Sequence, residues 1–402
     1  VTAAAVAAAT PTQQRIESVF TELSLLHCLP RQAALTPLFL NRQLTAEEYA
    51  YASVVMRTVY YFLNRKSDEY QLLAKHFARD AINLGRLHFL HTQLRTAAAP
   101  PARIAQCLAS NVSLVKQLFA DFKRQQLAPA DVAPAYNGEL ASTVRRMATN
   151  EIDEEIMLQC VAFNAQCLKT NFFARRKSAV SFRLRGEFAA TDTQEAPYGI
   201  FFVLGPDFQA FHVRFRDVAR GGIRLIPFTS QQAYAKNAET QFNENFDLAY
   251  TQNKKNKDIP EFGSKGTILL YPNAPTSGKG QMLTFQKYVA ALLDLMLPRA
   301  KRSGGIVDHY GRDELLFLGP DEGTADWMEW AALYARQRGY AFWKSFTTGK
   351  PARLGGIPHD TYAMTTRSVH RFKLGCLRKA RRDEADVTKV QTGGPDGDLG
   401  SN

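Results

Sequence analysis

Over residues 12–173 the apolar positions recur at helical spacing. Thr45-Ala46-Glu47-Glu48 has the form of a capping box, a threonine accepting from a free backbone N–H while a glutamate three residues on reaches back. Helices are predicted over 49–63, 68–94, 104–122 and 152–168, interrupted by Pro100-Pro101 and by a linker at 128–138. Near Ser178 the period changes. Residues 179–184 alternate apolar and polar, 198–204 form a compact apolar run, and 208–215 alternate again, with Gly205-Pro206-Asp207 as the hairpin turn between the last two. A helix over 231–249, a strand over 266–271, a helix over 282–297, a buried strand over 315–318 and a helix over 326–337 follow. Such alternation of strand and helix predicts an α/β layer. A basic-ended helix over 362–378 and a charged link over 378–386 lead to 387–391, expected to be the first strand of a second α/β unit.

This pattern divides the 402 residues into a helical region (1–175), an α/β unit (176–345) and the start of a further unit (346–402). Hydrophobic residues are 45% and charged residues 22%, ordinary for a globular protein, and charges interrupt every apolar run before membrane-spanning length. A net charge of +12 and a pI of 9.4 suit an anionic partner without choosing between nucleic acid, an acidic metabolite and a dinucleotide. The five cysteines (Cys28, Cys107, Cys160, Cys167, Cys376) contain no CxxC pair and read as free thiols of a reducing compartment, with no metal site. The chain opens at Val1 in an Ala-rich stretch and stops at Gly400-Ser401-Asn402 within the glycine-rich turn, so we expect a fragment of a longer polypeptide.

Candidate chemistry lies in the second half. Gly221-Gly222 follows Arg220, where a Gly-Gly pair lets backbone approach a ligand and an arginine grips a carboxylate; the plain reading is a glycine bulge with solvated arginines, and both stay open. Of Lys254-Lys255-Asn256-Lys257, at least two lysines should be a solvated face. Lys265 differs, since Gly263, Ser264 and Gly266 leave room for a substrate against its ammonium, and burial of a lysine favours its neutral, basic form. The spacing there is not that of a P-loop, and Gly278-Lys279-Gly280 reads as a surface loop. Asp321 follows an apolar strand and precedes a helix, the place where open α/β sheets bind ligands; its plain role is a helix cap, which Glu322 and Asp326 can also fill. Gly394, Gly397 and Gly400 are spaced like a loose dinucleotide-binding turn.

In order, these segments resemble the large-subunit NAD-dependent glutamate dehydrogenases. The resemblance runs from about Ser178 to Asn402. It rests on Arg220-Gly221-Gly222-Ile223-Arg224, on 255–266, on Gly319-Pro320-Asp321-Glu322-Gly323-Thr324, on Thr348-Gly349-Lys350-Pro351 with Gly355-Gly356, and on 393–402. It implies an αβα substrate domain with a mixed sheet as in amino-acid dehydrogenases, followed by a truncated Rossmann-type NAD domain, so that the chain is α/β (α+β overall) with a helical regulatory or assembly region in front. It further implies Lys265 and Asp321 as catalytic residues, and Arg220, Gly221 and Lys255 as substrate-binding, with Lys254 an alternative to Lys255. Thr365, Gly394, Gly397 and Gly400 would hold NAD. Phe262 stands where the resemblance leads one to expect glycine, narrowing the approach to Lys265. The implied reaction is oxidative deamination of L-glutamate to 2-oxoglutarate and ammonium, in a homo-oligomer of the mitochondrial matrix or the cytoplasm that engages neither nucleic acid nor membrane.

Two other readings compete. The +12 charge with Arg175-Arg176-Lys177, Lys254-Lys255 and 378–382 would suit a nucleic-acid-binding or non-catalytic protein, but the aromatic residues lie mostly in apolar core patterns and not among the basic clusters. A dehydrogenase for leucine or phenylalanine would need an apolar pocket, whereas two cations at the cleft favour a dicarboxylate.

Overall fold

The capping box forms as expected. In the computed structural model, which describes residues 10–63, 68–190, 194–255, 262–298, 304–321, 324–357 and 361–390, the Glu48 amide donates to Thr45 Oγ1 at 3.2 Å and the Thr45 amide to Glu48 Oε2 at 2.7 Å. The elements run α1 (Pro11–His27), α2 (Thr36–Leu40), α3 (Ala46–Phe62), α4 (Asp68–His76), α5 (Ala81–Ala98), α6 (Pro101–Ser110), α7 (Val112–Gln126), α8 (Gly138–Met147), α9 (Glu151–Gln166), β1 (Cys167–Thr170), β2 (Val180–Arg185), β3 (Gly199–Leu204), β4 (Phe208–Arg214) and β5 (Ala219–Ile226). There follow α10 (Gln231–Asn253), β6 (Phe262–Leu270), α11 (Gly278–Met296), β7 (Val307–Asp308), β8 (Leu316–Pro320), α12 (Met328–Arg338) and α13 (Met364–Ala380).

The strands make one mixed sheet in the order β7-β1-β2-β3-β4-β6-β5-β8. Pairing is antiparallel from β7 to β6, and β6, β5 and β8 are parallel. Side-chain alternation sorts the apolar residues into two cores, making three layers. Phe182, Phe202, Phe211 and Val213 face the helical region and α10, meeting Tyr51, Phe163, Phe242 and Phe246. Phe201, Val203, Ile223 and Ile268 face the other way, onto Phe285, Tyr288 and Leu292 of α11 and Ala331 of α12. No helix among the described residues is long and apolar enough to cross a membrane. All five cysteines are free; burial raises the Cys28 and Cys107 thiols to about 12, so they stay neutral packing groups, while Cys376 is exposed.

Several expectations change. The helix predicted over 68–94 is two, α4 and α5, and the one over 104–122 is split at Asn111 into α6 and α7. Residues 167–168, expected at a helix end, begin β1, because antiparallel pairing of Lys169 with Arg183 outweighs local periodicity. Gly278-Lys279-Gly280 is the first turn of α11, capped by Ser277, and not a loop. Residues 387–390 form no strand, and Val390 is exposed; Gln391, the last residue of that expected strand, lies outside the described residues.

The polar face of β2 is also buried, under α11. Lys169, Arg183 and Arg214, on β1, β2 and β4, lie on this face; Lys169 pairs with Asp308 at 3.4 Å, and the two arginines flank the buried Glu314. Glu314 takes Arg183 Nε at 2.9 Å and a second ion pair from Arg214. The Tyr310 and Tyr198 rings cover the guanidiniums, at 4.2 Å from Arg183 and 4.8 Å from Arg214. Arg214 Nη1 donates to Asp217 O and Leu315 O, both at 2.9 Å, so one side chain holds the chain just before β5 and just before β8. That aligns the two parallel strands whose far ends carry the site.

His212 on β4 lies wholly buried under β6, its Nδ1 3.1 Å from Tyr288 Oη. Burial first, and Arg214 second, lower it from 6.5 to about 3. The unfolded chain takes up this proton near 6.5 and the folded chain refuses it down to about 3, so the stability at stake is complete above pH 6.5 and is lost as pH falls between those values. The loss is at most about 1.4 kcal/mol per pH unit. Urea unfolding from about pH 7 to about pH 4 should show a shallower fall in His212→Gln, by about one proton; equal slopes would mean that His212 titrates normally in the folded state.

Candidate active site

The parallel strands β6, β5 and β8 converge on a layer defined by register. Ile223 pairs with Gly266 and with Pro320, which sets Gly222 beside Lys265 on one side and Gly319 on the other. Alternation puts Arg220, Gly222 and Arg224 on the α10 face; Arg224 reaches Glu244 of α10 at 2.7 Å. Lys265 and Thr267 share that face, Thr267 Oγ1 receiving Asn245 Nδ2 of α10 at 3.1 Å. Beyond the end of β8, Asp321 turns back over Gly222, and its carboxylate forms an ion pair with the Lys265 ammonium. Lys265 is 14% exposed and Asp321 34%, so the pair is sheltered yet open to a small molecule.

Three glycines make this geometry possible. A Cβ at Gly222 would lie 2.6 Å from Asp321 Oδ2 and 3.0 Å from its Cβ, in the space the carboxylate occupies. A Cβ at Gly221 would lie 1.5 Å from the Ser264 carbonyl oxygen, so that glycine lets β5 and β6 pair at all. At Gly263 a Cβ would meet Ala249 O and Asn253 N at 2.1 Å, where the end of α10 closes over β6. Gly222→Ala should therefore displace the flexible carboxylate and leave the sheet intact. We expect turnover to fall about tenfold to a hundredfold with a melting temperature within a few degrees of wild type; steady-state kinetics beside thermal melting checks this.

The residues read from sequence distribute as follows. Lys265 and Asp321 come into contact, and Arg220, partly buried, stands on the same face of β5, one pleat from Gly222. Gly221 packs against Ser264 on the opposite face. Lys255 is exposed two residues beyond α10 and forms no ion pair among the described residues; Lys254 lies over the Tyr250 ring at 4.7 Å. Thr365 is half-buried in the first turn of α13, and no hydrogen bond links it to the Lys265–Asp321 pair. Gly394, Gly397 and Gly400, like Asn256–Glu261, lie outside the described residues. Phe262 does not narrow the approach to Lys265: strand alternation sends it to the other face, where Arg216 covers its ring at 5.4 Å.

Two features were not assigned a role from sequence. Gly222 was recognised as half of a flexible pair, without the neighbour that requires it. Thr324 was noted in its motif only, although a threonine three residues after an aspartate is a turn spacing that links side chain to backbone. In addition, Leu318 is bracketed by Phe346 O and the Thr348 amide, at 2.8 and 3.0 Å, and Gly349 (φ 73°) packs on Pro320, so the Thr348-Gly349-Lys350-Pro351 motif flanks the end of β8.

Chemically, a lysine and a carboxylate in contact can exchange a proton, here beside the ends of β5 and β8 with an arginine one pleat away on β5. The chain is 45% identical to Glutamate dehydrogenase 2 of Dictyostelium discoideum, over 96% of this chain and 37% of that protein. It is 42% identical to the NAD-specific glutamate dehydrogenase of Neurospora crassa (98% and 38%) and 36% identical to that of Saccharomyces cerevisiae (96% and 37%). It thus spans a little over a third of the length of these relatives. Residues 140–401, which take in the whole sheet and the lysine–aspartate pair, match the family described as bacterial NAD-glutamate dehydrogenase, catalytic domain, and the chain belongs to that family.

Proposed function

We propose that this chain carries the substrate side of an NAD-dependent glutamate dehydrogenase, which oxidatively deaminates L-glutamate to 2-oxoglutarate and ammonium in glutamate catabolism. The observation that supports this most is the Lys265–Asp321 pair, held on one face by Gly222 at the ends of parallel strands. Arg220 on that face would hold one substrate carboxylate bidentately. Lys255, close in sequence to where α10 meets Gly263, would take the other once substrate is bound.

Asp321 would accept a proton from the substrate amino group. Lys265 in its neutral form would then take a proton from the water that attacks the imine carbon, and the pair would pass protons on to the departing ammonia. NAD, when bound, supplies the hydride acceptor. The residues present fit such a group: the Asp321 side chain, in contact with Lys265, keeps a third of its surface open. Thr365 and the glycines Gly394, Gly397 and Gly400 are the residues this chain would offer to hold it. The segment 346–402 would be the start of that cofactor domain, and 1–175 a regulatory or assembly region.

The test is NAD reduction by the longest reading frame containing this chain, with L-glutamate, L-leucine and L-phenylalanine compared. A kcat/KM for glutamate at least about a hundredfold above the others is expected, because a cation built for a carboxylate is left unpaired by an apolar side chain. A preference for leucine or phenylalanine would overturn the assignment of substrate.

A further inference from the structure

Thr324 has no exposed surface, and its hydroxyl sits among three backbone groups. It accepts from the Asp321 amide at 2.9 Å, and Ile223 O and Asp321 O each lie 3.0 Å away to receive its proton. The Asp321 carbonyl also accepts from the Thr324 amide at 3.0 Å, which closes a tight turn. Ile223 is the residue after Gly222, so a single side chain joins the turn that carries Asp321 to the strand that faces it.

Two observations give this contact its significance. The pairing of β5 with β8 ends at Ile223 and Pro320, so beyond Pro320 no rung of that ladder holds the backbone of Asp321 to β5. Thr324 also stands at the N-terminus of the short helical turn 325–327, where a threonine ordinarily caps, yet its side chain makes no cap hydrogen bond to that turn. Its hydroxyl points back to Asp321 and Ile223 instead.

We propose that Thr324 is a positioning residue for the reaction: its hydroxyl fixes the Asp321 backbone to β5, so that the carboxylate stands over Gly222 against the Lys265 ammonium. This rests on the reading of Lys265 and Asp321 as the proton-transfer pair. Without the hydroxyl, the Asp321 amide and the Ile223 carbonyl lose a shared partner, which loosens the carboxylate while leaving the groups that would hold the substrate carboxylates in place. The effect therefore belongs in kcat and not in KM.

The experiment compares Thr324→Val, Thr324→Ser and Asp321→Asn in the longest reading frame containing this chain, by NAD reduction with L-glutamate and by thermal melting. Thr324→Val keeps shape and loses the hydroxyl; kcat should fall about tenfold to a hundredfold with KM for glutamate within about threefold of wild type. Thr324→Ser restores the hydroxyl and should recover kcat to within about fivefold. Should Thr324→Val fail to fold, Thr324→Ala takes its place against the serine variant. Wild-type kcat in the folded valine or alanine variant would overturn the proposal, as would a serine variant no better than either, which would assign the effect to the buried methyl. Asp321→Asn separates the two levels: if it abolishes turnover while Thr324→Val does not reduce it, the positioning role fails alone; if it turns over normally, the reading of the pair fails with it.

Discussion

Lys265→Ala is expected to lower kcat for glutamate oxidation by about a hundredfold to ten-thousandfold, the range that a positioned general acid or base contributes. The side chain is 14% exposed and its ammonium meets the Asp321 carboxylate, so alanine removes the proton carrier and leaves the aspartate without its counter-charge. The fold should tolerate the change, because β6 keeps its backbone pairing to β4 and β5 through residues that do not depend on Lys265. On the proposed reading the loss should fall on kcat and kcat/KM alike, since a proton transfer is made only in the transition state. Lys265→Arg is not a conservative control: the guanidinium keeps the ion pair but cannot give up its proton, so it should be as inactive as alanine. Steady-state kinetics of the three proteins distinguishes a proton carrier from a mere counter-charge, for which arginine would suffice.

The largest stability effect is expected at Glu314. It is fully buried between Arg183 and Arg214, and Glu314→Ala would leave two guanidiniums in the interior without a carboxylate. Breaking a buried ion pair from one side costs about 3–5 kcal/mol. Urea unfolding of the variant should show that loss, and Arg214, freed of its partner, should also hold the starts of β5 and β8 less firmly. Replacing all three residues by methionine should recover part of the stability, because it removes the unpaired charges together with the pair but leaves the carbonyls of Asp217, Leu315 and Tyr198 without their arginine donors. A loss below about 1 kcal/mol in Glu314→Ala would mean that the guanidiniums reach water.

Much of this was legible in the sequence, for local reasons. The capping box, the 205–207 hairpin and the strand-to-helix turn at Asp321 are each written in a few neighbouring residues, and the structure forms all three. What was missed depends on partners far along the chain. Cys167-Leu168 continues a helical period, and only β2, brought alongside with Leu184 opposite Cys167 and Arg183 opposite Lys169, makes it part of a strand. For the polar positions Ser181 and Arg183, alternation alone cannot tell water from a layer of buried polar partners; Ala291 O at 2.8 Å and Glu314 supply those partners. The same holds at the site. Lys265 and Asp321 were found by their small neighbours and their turn, but that they meet over Gly222 follows only from the register of three strands. Phe262 was misjudged because a separation of three residues from Lys265 along a strand means opposite faces.

The central claim is that Lys265 and Asp321 act as one proton-transfer unit, and a double-mutant cycle on kcat tests it most directly. Lys265→Ala, Asp321→Asn and the double variant are compared with wild type for glutamate-dependent NAD reduction by the longest reading frame containing this chain. For a unit, each single change already removes nearly all that both provide, so the double variant should be within about tenfold of the weaker single variant. Losses that multiply, with the double variant slower by the product of the two single effects, would contradict the account and assign the two residues to independent tasks.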